Sequence, residues 1–244
     1  MLLYVLSIFS AIFALCSAGE SEFSLRVTCK RNSDDYSACL KQTMEEIWSR
    51  VVTGLPEFDI PSVDPLSIKN YKFVMNSGNV HGELILLNST ITGLSKLRIL
   101  NIRTYFLDDI FYLESDINIP RISSKGSVNI NGNLNALRIA NEGYYNLILE
   151  DVSGTTNFTG HVINDTWIVE HFYLVPSIGK FKLYYDDVIK EKKAITDVVV
   201  NFINENWLTI YPMVISSMFD RLELFFIDSA NKFFSKVPFS KIFP

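Results

Sequence analysis

The sequence has 244 residues, a formal net charge of −5 and 20% charged residues, which are dispersed along the chain. Nucleic-acid binding would require a basic face, so that class of protein is set aside. The hydrophobic fraction is 48%, with 18 phenylalanines, which is rich for a soluble domain. Such a composition indicates either a large core or apolar surface that faces a cavity, and by itself it favours the core.

The first fifteen residues carry no charged side chain and are mostly apolar. This run is too short to span a bilayer and is typical of a secretory signal, with cleavage expected after Ala18 because Cys16 and Ala18 are small. The alternative is a buried N-terminal helix. We therefore expect a secreted, extracellular protein with residues 1–18 as the signal peptide and 19–244 as one domain.

Two cysteines, Cys29 and Cys39, remain once Cys16 has left with the signal. In an oxidising compartment they are expected to pair and close a short loop near the mature N-terminus. Their spacing is not that of a redox motif, and the three histidines show no ligand spacing. No metal and no cofactor are expected.

The first predicted element is a short amphipathic helix with apolar residues from Leu40 to Val51 and a stop at Gly54. Ser33, Asp34 or Asp35 is available as its N-cap. The following segment, 54–65, contains three prolines and is predicted to be an extended connector without helix.

From Ile68 to about Tyr185 the apolar period changes to two, which predicts half-buried antiparallel strands in one long, meandering sheet. The predicted strands are 71–75, 80–87, 97–106, 111–119, 128–136, 145–152, 167–175 and 181–185. The alternation is clearest at Val128 and Ile130, which are separated by asparagines that would face outward.

Residues 190–237 are predicted to form one long helix, kinked or split at Pro212. Asp220, Arg221 and Glu223 interrupt its most apolar stretch, so we expect no stable membrane insertion. The apolar residues occupy more than one face, and a curved sheet is the only element large enough to cover them.

No hydrolase, zinc, nucleotide or calcium motif occurs, so no catalytic residue is assigned and the protein is not expected to be an enzyme. The acidic pairs Asp108–Asp109 and Asp186–Asp187 are interpreted as solvated turn residues. Three sequons make Asn88, Asn157 and Asn164 possible N-glycosylation sites.

Several segments in combination resemble the insect haemolymph juvenile-hormone-binding and Takeout family over essentially the whole mature chain. They are the Cys29/Cys39 pair, Gly54-Leu55-Pro56-Glu57 with Ile60-Pro61-Ser62-Val63-Asp64-Pro65-Leu66, Thr92-Gly93-Leu94-Ser95, Phe202-Ile203-Asn204-Glu205-Asn206-Trp207 and Ser235-Lys236-Val237-Pro238. The resemblance implies an α+β fold of the tubular lipid-binding type, in which a strongly curved antiparallel sheet rolls around a long C-terminal helix. The chain departs from the family pattern at 136–143 and 185–190.

The resemblance also implies an apolar tunnel and transport of a hydrophobic small molecule such as juvenile hormone, another isoprenoid or a fatty-acid-like lipid. Roles in such families extend to circadian output, which the sequence does not address. The residues expected to line the tunnel are apolar or aromatic and lie on inward strand or helix positions: Phe73, Met75, Phe106, Phe111, Leu113, Phe172, Leu174, Phe202, Trp207, Met213, Met218 and Phe219. The alternative is a secreted interaction protein of the same fold with a filled interior, acting through its surface on a membrane or on a receptor that the sequence does not identify.

Overall fold

The computed structural model describes residues 23–25, 29–31, 33–77, 80–134, 137–188 and 193–244. The predicted signal peptide and its cleavage site lie outside these residues. Within the described chain, no helix combines the length and the apolar composition needed to cross a membrane.

Helix α1 spans Tyr36–Thr53 between Asp35 and Gly54, which confirms the predicted helix and its stop. The predicted Cys29–Cys39 disulfide is present, with the two Cα atoms 5.7 Å apart, and ties the preceding segment to the first turn of α1. Gly54 is needed at the helix end because its φ is +92°, a conformation that costs little only for glycine.

The connector after α1 is not extended throughout, because Pro56–Phe58 forms a single 3-10 turn. Proline suits the first position of such a turn, where its backbone nitrogen needs no hydrogen-bond partner. Leu55 and Ile60 then pair across the turn in an isolated antiparallel bridge. Leu55, Phe58 and Ile60 are all buried, so the connector contributes to the core.

Six strands form one antiparallel sheet: β1 (Leu66–Ser77), β2 (Val80–Thr92), β3 (Arg98–Leu107), β4 (Ile110–Leu134), β5 (Leu137–Ile163) and β6 (Thr166–Asp187). The spatial order is β1-β2-β4-β5-β6. Strand β3 pairs with the first part of β4 and β2 with the last part, so β3 and β2 follow one another along the same edge of β4.

The strands are longer than their apolar alternation predicts. Strand β4 joins the predicted strand 111–119 to residues 128–134 of the predicted strand 128–136, whose last two residues lie outside the described chain. Strand β6 joins 167–175 and 181–185. Backbone pairing with β5 continues through the polar stretch 123–127, because ladder hydrogen bonds do not require apolar side chains. Register shifts, such as that between Thr159 and Gly160, bend the long strands locally.

Helix α2 spans Lys193–Phe234 and contacts both β6 and β1, the two ends of the strand order. The sheet therefore curves around α2, as the fold prediction requires. The break in α2 lies at Asn206, whose φ is −114°, so the predicted position at Pro212 was wrong. Asn206 accommodates this non-helical conformation because its Nδ2 donates to the Phe202 carbonyl at 2.9 Å.

Candidate ligand-binding site

The face of the sheet that α2 covers is apolar along β4, β5 and β6. Paired residues on this face form successive rungs across the three strands, from Ile119–Val152–Ile178 through Ile122–Leu149–Phe181 to Ser124–Leu147–Leu183 and Gly126–Tyr145–Tyr185. We call the part of this face from the Phe181 rung to Asp187 the far half. The side chains of Ile122, Leu149, Phe181 and Leu183 are only half-buried there.

The opposite end of the same face, which we call the aromatic end, is tightly packed. It consists of Phe111, Trp167, Phe234, Phe239 and Phe243, with ring centroids 4.8–5.1 Å apart between Phe111 and Phe239 and between Trp167 and Phe234. Trp167 and Phe111 are each 1% exposed. Edge-to-face aromatic packing of this kind leaves no room for a ligand.

The short helix α3, Phe239–Ile242, closes the aromatic end. It docks on the β5–β6 turn through Asp165, whose carboxylate accepts hydrogen bonds from the Ser240 amide at 2.8 Å and the Ser240 hydroxyl at 2.7 Å. The Asp165 carbonyl also accepts from the Phe239 amide at 2.7 Å. A hairpin turn therefore holds the C-terminal residues over the core.

Helix α2 is fastened along the outer edge of β6 by two asparagines. Asn231 accepts from the Val169 amide at 2.8 Å and donates to the Val169 carbonyl at 2.9 Å. Asn204 makes the same pair of hydrogen bonds to Leu183, at 2.7 and 2.8 Å. These side chains satisfy backbone groups that a strand at the edge of a sheet would leave unpaired.

The two clamps show that α2 and β6 run side by side in opposite directions. Asn204 and Asn231 are about 40 Å apart along a helix at 1.5 Å per residue. Leu183 and Val169 are about 46 Å apart along a strand at 3.3 Å per residue. Between the clamps, the Tyr211 hydroxyl donates to the Pro176 carbonyl at 2.8 Å, and burial raises the pKa of Tyr211.

The convex face of the sheet carries ion pairs across strands. Glu150 pairs with Arg121 at 3.2 Å and with Lys180 at 3.5 Å, and the three residues lie on one rung. Arg103 pairs with Asp116 at 3.0 Å, which holds the pKa of that carboxyl below its usual range. The ion-paired rung of Glu150 thus lies on the side of the sheet opposite the apolar rungs that α2 covers.

A polar cluster lies at the end of the far half, beneath the first turn of α2. Asp187 is 9% exposed and accepts a short hydrogen bond from Asn141 Nδ2, which also donates to Thr196 Oγ1 at 3.2 Å. Tyr185 lies on the same face, and its ring passes over Gly143, where a Cβ atom would collide with the phenol. Burial, followed by the charges of Asp187 and Glu142, raises the pKa of Tyr185 to about 12, so its hydroxyl stays protonated.

The predicted tunnel residues fall into several groups. Phe111, Leu113 and Phe172 are buried, and the Phe172 ring packs at a tilt against those of Phe158 and Phe226, with centroids 4.6 and 4.5 Å away. Phe106 is 48% exposed, although its ring centroid lies 5.1 Å from that of Phe111.

The remaining predicted residues lie on β1, β6 and α2. Phe73 and Leu174 are half-buried, and Trp207 stacks on Phe181 with centroids 5.7 Å apart. Phe202 is 51% exposed. Met75 belongs to β1, and Met213, Met218 and Phe219 belong to α2, but the side chains of these four lie outside the description.

The predictions for the two acidic pairs had different outcomes. Asp108 and Asp109 are exposed in the β3–β4 turn, as predicted, with φ of 49° and 64°. The interpretation of the second acidic pair was wrong for Asp187, because β6 continues to that residue and its inward alternation buries the carboxylate. Asp186 points outward and is exposed.

The three sequon asparagines differ in environment. Asn88 is exposed at an irregularity in the β2–β4 register. Asn164 is exposed in the β5–β6 turn with φ of 50°. Asn157 is half-buried within β5, and its Oδ1 is buried without a hydrogen-bond partner.

Sequence reasoning missed both clamps and the polar cluster. The clamps had a signal, since Asn204 and Asn231 are amides within an otherwise apolar helical pattern. The polar cluster also had a signal in the sequence. Phe181, Leu183, Tyr185 and Asp187 occupy alternate positions of one strand, so Asp187 points to the same inward face as the other three. Asn141 had none, because its role depends on pairing between strands that are distant in sequence.

A long antiparallel sheet curved around a C-terminal helix, with a disulfide at its N-terminal end, defines a fold of the tubular lipid-binding type. The crystal structure of Epiphyas postvittana Takeout 1 has this fold, with a TM-score of 0.71, 17% sequence identity and coverage of 86% of this chain and 96% of that one. The family model described as haemolymph juvenile hormone binding protein (JHBP) matches residues 8–244, and the chain belongs to this family. No curated protein sequence matches the chain.

Proposed function

We propose that the protein is a secreted carrier that holds a hydrophobic small molecule between the concave face of the sheet and α2. The observation that carries the proposal is the far half, where residues with a core-like alternation remain half-buried beneath the helix. A ligand that removes about 300 Å² of this apolar surface from water gains roughly 7 kcal/mol before the cost of ordering. Binding of this kind requires no covalent chemistry.

The ligand class follows from the family description and from the composition of the face. Juvenile hormone, another isoprenoid or a fatty-acid-like lipid each present a long apolar chain that matches consecutive rungs of aliphatic and aromatic side chains. We assign the wall to Phe73, Leu174 and Trp207 among the predicted residues, together with Leu149 and Phe181. Phe111 serves instead as part of the sealed aromatic end.

The test is native mass spectrometry of the secreted protein, followed by delipidation and titration with a fluorescent hydrocarbon-chain probe. We expect one probe per chain. Leu149→Trp should reduce binding, because it fills the middle of the concave face. Lys182→Trp, one residue away from Phe181 on the convex side, is the matched control and should bind normally.

A protein that is isolated empty and takes up no probe would contradict the carrier proposal. It would favour the alternative in which this fold acts through its surface. Equal binding by the two tryptophan variants would instead move the ligand away from the concave face.

Secretion and glycosylation belong to the same proposal. Cleavage after Ala18 and glycans on Asn88 and Asn164 are expected, because both asparagines are exposed at an irregularity or a turn. Asn157 would have to leave a paired strand to be modified. Intact mass before and after enzymatic deglycosylation, in Asn88→Gln, Asn157→Gln and Asn164→Gln, measures the occupancy of each.

A further inference from the structure

The polar cluster of the far half contains two buried atoms that have no hydrogen-bond partner, Tyr185 Oη and Asn141 Oδ1. Buried polar groups are almost always paired, and an unpaired one costs about 1–3 kcal/mol. Two such atoms on one face, in the same cluster, call for a ligand or ordered water that completes them. Both belong to the face that would hold the apolar ligand, at the end of its rungs.

The orientation of Asn141 is fixed by its partners. Its Nδ2 faces the Asp187 carboxylate and the Thr196 hydroxyl, and an amide turned the other way would place its oxygen against a carboxylate. Oδ1 is therefore a true acceptor without a donor. The Tyr185 ring is held over Gly143, and burial raises the pKa of the phenol to about 12, so Oη keeps its proton and can donate.

One unpaired acceptor beside one available donor matches a group that both donates and accepts. A hydroxyl does this, whereas an ether or ester oxygen only accepts. Most of the described charges around the cluster are negative, since Asp187 is buried within it and Asp186 and Glu142 flank it. Lys193, at the start of α2, already pairs with Asp197 at 2.8 Å. Lys193 also interacts with the charges of Asp186 and Asp187, but the described acidic groups outnumber this one paired cation, so a carboxylate or phosphate would meet net repulsion.

We propose that Tyr185, Asn141 and Asp187 form a binding site for the uncharged hydroxyl head of an amphipathic ligand. The hydroxyl accepts from Tyr185 Oη and donates to Asn141 Oδ1, while Asp187 holds the Asn141 amide in place. The apolar chain runs from there along the far half towards Phe181 and Trp207. This inference rests on the proposed carrier function and narrows its ligand to a long-chain or isoprenoid alcohol.

The experiment compares four probes of equal chain length: dodecan-1-ol, its methyl ether, dodecanoic acid and dodecane. Each displaces a fluorescent probe from the delipidated protein at pH 8. The alcohol should bind about three- to tenfold more tightly than the methyl ether, which is the effect of one net hydrogen bond. The acid should bind more weakly than the alcohol.

Tyr185→Phe should reduce affinity for the alcohol about three- to tenfold and leave that for dodecane unchanged. Because it removes an unpaired hydroxyl, it should not lower the Tm of the ligand-free protein. Tyr184→Phe, the neighbouring residue on the convex face and 51% exposed, should change neither quantity.

The outcomes separate the two proposals. Failure of all four probes to bind would overturn the carrier function, and the head-group site with it. Equal affinity for alcohol, methyl ether and acid would overturn the head-group site alone, as would a lower Tm for ligand-free Tyr185→Phe, which would mean that its hydroxyl is a structural group.

Discussion

The aromatic end and the far half lie on one face of one sheet, under one helix, and yet they differ in burial. Both have inward residues at every second strand position, and both are fastened to α2 by an asparagine clamp. At the aromatic end, α1, the connector after it and α3 add a further layer, so Phe111 and Trp167 are buried almost completely. In the far half, α2 is the one element of the described chain that covers the sheet, and the same pattern stays half-buried.

The difference teaches that alternation in a strand fixes which way a side chain points but not how far it is buried. Burial depends on what the rest of the chain places above the strand. We infer a division of roles, in which the aromatic end stabilises the fold and the far half is left available for a ligand.

The largest effect is expected from truncating the aromatic end. Phe111→Ala should lower the free energy of unfolding by about 3–5 kcal/mol, because it leaves a cavity among rings that cannot collapse into it. Phe181→Ala, in the far half, should cost about 1–2 kcal/mol, because its half-buried ring loses less contact with its surroundings. Urea denaturation of the ligand-free proteins measures both.

Equal losses for Phe111→Ala and Phe181→Ala would contradict the division. Titration with the fluorescent hydrocarbon-chain probe sharpens this test. Phe181→Ala should weaken binding of the probe more than Phe111→Ala does, provided that the Phe111→Ala protein still folds.

The disulfide provides the second test. Replacing Cys29 and Cys39 together by serine should lower stability by about 2–3 kcal/mol, the amount expected for closing a ten-residue loop. Hydrogen exchange should rise mainly in α1, near the buried Leu40 and Thr43, while the far half keeps its protection. Faster exchange at Leu183 as well as in α1 would show that the two regions unfold as one unit.

Helices α1 and α2 and the order of helix and strand regions along the chain could be predicted from the sequence. The apolar period and the positions of glycine and proline are local features, so they can be read without knowledge of the fold. Gly54 ends α1 where expected, and the long apolar pattern after residue 190 does form the central helix. The merging of strands could not be predicted. The polar segment 123–127 has no apolar alternation, and it stays in β4 because β2 and β5 supply hydrogen bonds on both sides.

The sequence predicted the apolar character of the candidate site but not which residues form it. Composition and family resemblance indicated apolar residues near a helix, but which of them are sealed depends on α3 and on the turn at Asp165. The polar cluster combines Asn141 of β5, Tyr185 and Asp187 of β6 and Thr196 of α2, which only the fold brings together.

The two clamps allow a matched test of burial at the edge of β6. Asn231→Ala should lower the free energy of unfolding by about 2 kcal/mol, because it leaves the amide and carbonyl of the buried Val169 without a hydrogen-bond partner. Asn204→Ala should lower the free energy of unfolding by about 1 kcal/mol, because water can hydrogen-bond to the amide and carbonyl of the half-buried Leu183 in place of the asparagine. Thermal unfolding gives the stabilities, and exchange of the Val169 and Leu183 amides reports each site directly. A larger cost for Asn204→Ala would show that the far half is the drier region.

The last effect is absent at neutral pH and concerns only the alkaline side of the stability profile. Tyr185 has an ordinary pKa of 10.0 when unfolded and about 12 when folded, chiefly because burial disfavours the phenolate. The unfolded chain thus releases this proton first, so the stabilisation is complete below pH 10 and is lost as the pH rises towards 12.

Tyr185→Phe should lose less stability than the wild type over that window, whereas Tyr184→Phe should follow the wild type. The comparison is between variants because burial also raises the pKa of Tyr211, which adds a similar slope to all three proteins. Parallel profiles for Tyr185→Phe and the wild type would mean that the Tyr185 hydroxyl is already in contact with water, and the far half would then be open to solvent at its polar cluster.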